Sequence, residues 1–354
     1  MPASIRGIQQ VGIGVGHMAA AWTWYRRYFG MDIPVFQEAA EARLMSAYTG
    51  ETVHSRNATL AINLQGGGGM EIWQFTSRTP AGPAGPIALG DYGIFAARVK
   101  ARDVAAAHHH FTEAGLDVCT PVSKDPAGRP HFFMRDPFGN TFDIVTSDSW
   151  FATARRSVTG GVAGAIIGVS DIEKARTLYC DVLGYSRVIY EKEGIFDDLL
   201  GVRPEGNTRI RRVLLAPSYQ GRGGFAPLFG ASEIELVKVF DRIPTRIFQN
   251  RYWGDLGFIH LCFDIHGMTD LERHCRRAGF PFVVDSMNSF DMGEASGHFS
   301  YIEDPDGTLI EFVETHRVPI MKRWNWFLDL RKRPAEKPLP RLLIRALGVN
   351  RFKE

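Results

Sequence analysis

The chain is 354 residues long, 45% hydrophobic and 23% charged, with a formal net charge of +2; this leaves room for two or more domains and argues against nucleic acid as a partner. No apolar run approaches the roughly 18 residues that span a bilayer, and the first residues lack the charged-then-apolar pattern of a secretory signal, so no membrane partner is expected. The four cysteines (Cys119, Cys180, Cys262 and Cys275) are scattered without Cys-x-x-Cys spacing, which suits free thiols in a cytoplasmic protein.

Residues 5–15 read as a strand holding two adjacent glutamines, Gln9 and Gln10, which the strand period sends to opposite faces. His17 to Gly30 reads as an amphipathic helix with aromatic positions at Trp22, Trp24, Tyr25, Tyr28 and Phe29, and Gly30 as its stop. The Gly66–Gly69 run is a turn ahead of the strand Met70–Phe75, which carries Glu71. A phosphate-cradling loop would follow a strand and open a helix, so the glycines are not read that way. A weaker copy of the unit follows. It comprises a strand at Gly90–Val99, a helix capped by Asp103 and running to Ala114, and an Asp136-Pro-Phe-Gly turn entering a strand with Asp143. The run His108–His110 lies on that helix, where consecutive residues point apart, and is read as solvated.

The second half restates the first. Glu71 and Glu235 are offset by 164 residues, Ala96 and His260 by 164, and Asp143 and Glu311 by 168. His260 is set into the apolar run Gly257–Ile265, and Glu311 follows the turn Asp304-Pro-Asp-Gly among Leu309, Ile310, Phe312 and Val313. A histidine and a carboxylate on two apolar strands are costly to bury unpaired, and a divalent metal would pair them. The duplication predicts two homologous domains, 1–147 and 163–316, each a pair of strand–helix–strand units, with a linker at 148–162. Residues 317–354 form a basic, amphipathic, aromatic extension broken at Pro334, Pro338 and Pro340, with a short final helix at Leu342–Leu347. It is read as packing on the domains, with a membrane-surface or partner-docking helix as the alternative.

The strand followed by Asp171-Ile-Glu-Lys-Ala-x(3)-Tyr-x(3)-Leu-Gly184, together with Asp304-Pro-Asp-Gly-Thr-Leu-Ile-Glu311, resembles the vicinal oxygen chelate superfamily. That superfamily includes glyoxalase I, bleomycin resistance proteins, methylmalonyl-CoA epimerase and the extradiol dioxygenases. The resemblance covers roughly residues 5–316 and implies an α+β fold, in which tandem βαβββ modules form two domains with curved mixed sheets. It places ligand positions on the first and fourth strands of each module. Here the first-strand positions are Gln10, Ala96, Gly164 and His260, and the last-strand positions are Glu71, Asp143, Glu235 and Glu311. The family also builds sites from the first module of one unit and the second module of another. Paired that way, Gln10, Glu71, His260 and Glu311 would hold one divalent metal (Zn, Ni, Co, Mn or Fe), while Gly164, Glu235, Ala96 and Asp143 would form a dead site. A site within the second domain, from Glu235, His260 and Glu311, stays open as well.

The implied activity is that of a metal-dependent glyoxalase-type lyase or isomerase, acting through an enediolate on a small oxygen-chelating substrate, as a monomer or homodimer. Glu311, then Glu71, is the candidate base. The alternatives are an Fe(II) extradiol-type dioxygenase, against which the missing histidine at Gly164 argues, or a non-catalytic small-molecule-binding protein. Arg26, Arg27 and Arg211 are available for an anionic substrate but match no family position.

Overall fold

The computed structural model describes residues 3–203, 208–219, 221–287, 290–292, 295–321, 326–331 and 333–353. Four modules follow one another. The first has β1 (Ser4–Gly14), α1 (Met18–Phe29), β2 (Ile33–Glu41), β3 (Ser55–Ile62) and β4 (Gly69–Phe75). The second has β5 (Gly93–Ala101), α2 (Val104–Glu113), the two-residue strands β6 (Asp117–Val118) and β7 (Ser123–Lys124), β8 (Pro130–Arg135) and β9 (Thr141–Thr146). The third has β10 (Thr159–Gly168), α3 (Ile172–Arg176), β11 (Arg187–Gly194), β12 (Ile210–Ala216), α4 (Ala226–Phe229) and β13 (Glu233–Val239). The fourth has β14 (Gly257–His266), α5 (Met268–Arg277), β15 (Val284–Asp285), β16 (Phe290–Met292), β17 (Ala295–Glu303) and β18 (Leu309–Met321). The last elements are β19 (Trp326–Asp329) and α6 (Arg341–Ala346).

Local chemistry starts and stops these elements where the sequence predicts. The His17 ring accepts from the Ala20 amide to cap α1, and Gly30 closes it in the left-handed region at φ 62°. The helix buries Ala21, Trp22, Tyr25 and Phe29, spaced to face one side. Asp103 and Asp171 cap α2 and α3 through their carboxylates.

The strands assemble into two sheets, and neither sheet belongs to one half of the chain. One runs β15-β17-β18-β14-β1-β4-β3-β2, so it joins the first module to the fourth; the other runs β11-β12-β13-β10-β5-β9-β8-β6, joining the third to the second. The seams are antiparallel, β1 on β14 and β10 on β5. The main core lies between the sheets, with the helices packed into it. Within each half, a helix tyrosine ties one module to the next. The Tyr25 hydroxyl donates to Asp136 (2.6 Å) and the Tyr179 hydroxyl to Asp304 (3.0 Å). The two Asp-Pro-x-Gly turns thus serve as sockets as well as chain reversals, since each aspartate also accepts from amides of its own turn.

The extension differs from the helical alternative. β18 runs through to Met321 and β19 pairs back on it, so this stretch is a hairpin, and Lys322–Asn325 and Lys332 lie outside the described residues. Its final segment forms the expected short helix, α6, and packs Leu339, Ile344 and Leu347 against Ile33, Ile62, Phe151 and Leu228. None of the helices among the described residues is long and apolar enough to cross a membrane.

Candidate metal centre

Every module pairs its first and last strands in the same register. Glu71 lies beside Gly12, Asp143 beside Arg98, Glu235 beside Ile166 and Glu311 beside Cys262. In each case the first-strand position two residues earlier is the one the resemblance marks as a family ligand position: Gln10 and His260, and the lost positions Ala96 and Gly164. Because β1 and β14 are neighbours, the first and fourth modules bring Gln10, Glu71, His260 and Glu311 to one point. Glu235, on the other sheet, is not part of this group.

All four side chains are buried, His260 completely. His260 Nε2 lies 3.3 Å from Glu71 Oε2 and 3.1 Å from Glu311 Oε2. Gln10 Nε2 donates to Glu71 Oε2 at 3.1 Å and to Glu311 Oε2 at 3.5 Å. One potential ligand atom from each of Glu71, His260 and Glu311 falls within 4.8 Å of the others, and this is the one such group among the described residues. Burial alone would lower the His260 pKa, but Glu311 and then Glu71 outweigh it and hold the ring up at about 10. The Tyr301 hydroxyl stands 3.5 Å from His260 Nδ1, and burial, then Glu311, keeps it protonated. Trp253 lies parallel to the imidazole, with ring centroids 6.4 Å apart.

The donors fit a metal ion better than they fit one another. The contacts of His260 Nε2 to the carboxylates have ion-pair distances but not hydrogen-bond alignment, and Nε2 has no hydrogen-bond partner among the described residues. Gln10 Oε1 is likewise buried without one. Exchanging the Gln10 amide N and O, which have nearly the same shape, would turn that oxygen toward the carboxylates. Two carboxylates, one imidazole and one amide oxygen are a donor set suited to a first-row divalent ion. Gly12 makes room for the His260 ring. A Cβ there would lie 2.4–2.8 Å from three atoms of the His260 ring.

Two cavities meet at the carboxylates. One, of about 100 Å³, reaches Gln10, Glu71 and Glu311 from an apolar side. The other, of about 200 Å³, reaches Glu71 and Glu311 past Arg56, Trp73, Trp253 and Tyr301. Gln9 does not face away as strand alternation predicts. A register shift between Ile8 and Gln10 makes it a bulge residue, so it lines the first cavity beside Gln10 and donates to Thr315 Oγ1 at 3.4 Å.

The equivalent place in the other sheet is filled by guanidinium groups, which sequence reasoning did not identify. Asp143 accepts from Arg98 Nε (3.1 Å) and contacts His131 Nδ1 (2.8 Å), while Glu235 accepts from Arg212 Nε (2.5 Å) and the Tyr190 hydroxyl (2.8 Å). Asp198 bridges Arg212 and His131. These carboxylates already have cations. A ligand cannot be grown at Gly164 either, because its φ is +155° and a Cβ would stand 1.8 Å from the Glu233 carbonyl oxygen. Arg98 and Arg212 lie within apolar strands, but nothing in the neighbouring residues names their partners.

The sequence model of the Glyoxalase/Bleomycin resistance protein/Dioxygenase superfamily matches residues 7–144 and again 161–312. Glyoxalase I from Zea mays is similar in structure, with a TM-score of 0.51 at 13% identity over 88% of this chain and 93% of that one. A putative dioxygenase from Bacillus subtilis is similar at a TM-score of 0.55 and 14% identity, over 88% and 86% of the two chains. At such identities these likenesses establish the fold alone. Comparison with the curated proteins finds no match.

Proposed function

The chain belongs to the Glyoxalase/Bleomycin resistance protein/Dioxygenase superfamily, and within it we propose a metal-dependent enzyme of the glyoxalase type: a lyase or isomerase that moves a carbon-bound proton on a small substrate with two adjacent oxygens. The observation that carries this reading is the convergence of Gln10, Glu71, His260 and Glu311 from two distant modules, with His260 Nε2 and Gln10 Oε1 unsatisfied. When bound, the ion would polarise the substrate oxygens and favour an enediolate over its parent carbonyl compound. The protein's own residues account for the rest. Glu311 borders both cavities and serves as the base, taking the proton from substrate carbon and returning it to the neighbouring carbon. Glu71, in the same position relative to both cavities, is the second candidate. Tyr301 and Trp253 border the imidazole, and in the tautomer with hydrogen on Nδ1 the Tyr301 hydroxyl accepts a hydrogen bond from Nδ1–H, which leaves Nε2 free to ligate. One imidazole with two carboxylates departs from the two-histidine, one-carboxylate set of Fe(II) oxygenases.

The test is solvent-deuterium exchange into α-hydroxy ketones, followed by proton NMR on protein loaded with each candidate metal. Exchange in the wild type that falls by at least about a hundredfold in Glu311→Gln supports the reading, a loss in the range attributed to general acid–base groups. Oxygen uptake by iron-loaded protein with catechols, without exchange, would replace it with ring cleavage.

A further inference from the structure

The apolar cavity is enclosed by parts of the chain that have no role in holding the four donors. Its walls are Phe36, Leu60 and Ile62 from the first module, Leu228 and Phe229 from α4, and Leu347 from the extension. The polar lining residues are the three donors Gln10, Glu71 and Glu311, and Gln9 and Thr315, which are joined by a hydrogen bond from Gln9 Nε2 to Thr315 Oγ1. The extension is fastened in place as a wall. Leu347 packs in a cluster with Ile33, Ile62, Leu228 and Val318. The Phe352 amide donates to the Asp32 carbonyl (2.8 Å), Arg351 pairs with the Asp32 carboxylate, and the Leu339 amide donates to the Gly224 carbonyl (3.0 Å). Val318 and Leu347 lie beyond residue 312, the last residue matched by the superfamily model.

We infer that this cavity is a specificity compartment, and that the substrate is amphiphilic: a two-oxygen head at the donors joined to an alkyl or aryl tail that lies against Phe36, Leu228 and Leu347. The assignment rests on the metal reading for the head; the tail rests on the cavity itself. An uncharged apolar substituent matches the walls, since a charged or hydroxylated tail would be stripped of water against Phe36, Leu228 and Leu347, which offer no polar partner. A small hydrophilic substrate would leave the compartment without an occupant. Because Leu347 and Val318 come from the extension, the extension sets which tails are accepted.

The experiment uses n-alkyl hydroxamates, which present two adjacent oxygens on an apolar chain. Binding of acetohydroxamate, butanohydroxamate, hexanohydroxamate and octanohydroxamate is measured by titration calorimetry on the metal-loaded full chain. Affinity should rise roughly threefold to fourfold per added methylene until the cavity is filled. In Val35→Trp and Thr315→Trp, which fill the cavity from two different strands, the gain should collapse toward the acetohydroxamate value. Circular dichroism and cooperative melting establish that each variant is folded. Equal affinity along the series in the wild type, or an undiminished gain in both folded variants, overturns the compartment while leaving the metal reading intact. His260→Ala separates the two ideas. If it and the wild type bind the long chains alike and neither prefers a hydroxamate to the alkyl amide of the same length, the compartment stands and the metal reading fails.

Discussion

His260 reaches the centre because the residue facing it across the β1–β14 seam has no side chain. Gly12 pairs with it, and even one methyl group would collide with the ring. Gly12→Ala should therefore weaken metal retention by about tenfold to a hundredfold, the range expected when a group that orients a ligand is disturbed. Competition with a fluorescent chelator measures this, and affinity equal to wild type would show that the ring has room to spare. At this scale much was legible. The family resemblance, laid on the repeat offsets, singled out His260, Glu71 and Glu311 as candidate ligands, and the common strand register brings them together. Within a strand, side-chain direction follows position, so one well-aligned module locates the same atom in the others. Gln9 was the exception, because a bulge breaks that period and leaves no mark in the residue types around it.

At the scale of elements, two homologous strand sets have become different objects. Between β1, β4, β14 and β18, His260 Nε2 and Gln10 Oε1 have no hydrogen-bond partner among the described residues and the carboxylates have no guanidinium, whereas between β5, β9, β10 and β13 the carboxylates are held by Arg98, Arg212 and His131. Burial works against charge on His131, but Asp143 and then Asp198 raise its pKa to about 9, with Arg98 and Arg212 holding the same carboxylates from the other side. A folded-state value above the ordinary 6.5 means that the stabilisation is fully present below about pH 6.5 and is lost as the pH rises through about 9. Buried Lys100, whose pKa burial lowers to about 7, acts in the opposite direction, so the total stability of the protein does not isolate the effect. The difference in unfolding free energy between wild type and His131→Gln does. It should be largest near about pH 6, on the order of 3 kcal/mol, and shrink toward about pH 10. A difference that stays flat over that range would mean the imidazole is neutral in its socket. Part of this was readable as lost ligands at Ala96 and Gly164. The arginines were not, because a guanidinium in a strand becomes informative only when its distant partners are known.

Across the whole molecule, sheet pairing crosses the halves while tyrosine sockets join modules within them. The first module is hydrogen-bonded to the fourth along a full strand, and the second to the third. Neither half keeps a complete sheet without the other, so urea unfolding should show one transition, coincident by tryptophan fluorescence and far-ultraviolet circular dichroism. Two separated transitions would mean that each half folds as its own unit. This crossing entered the sequence reading through the family's way of pairing modules together with the positions that keep ligands, and a site within the second domain stayed open beside it. Pairing between strands some 250 residues apart (Gly12 with His260) leaves no local pattern to read. The extension was misjudged in one alternative for a related reason. Its aromatic and basic residues suit a surface helix, but β18 continues past Glu311 and supplies an edge on which β19 pairs.

The central claim is that one metal centre is assembled from the first and the fourth modules. The direct measurement is the metal content of purified, reloaded protein by plasma mass spectrometry, for wild type, Glu71→Ala and His260→Ala. The account predicts about one divalent ion per wild-type chain and its loss from both variants, because each removes a donor from a different module while the fold is retained. A wild type that holds no ion after reloading, or a Glu71→Ala protein that keeps a full complement, would contradict it.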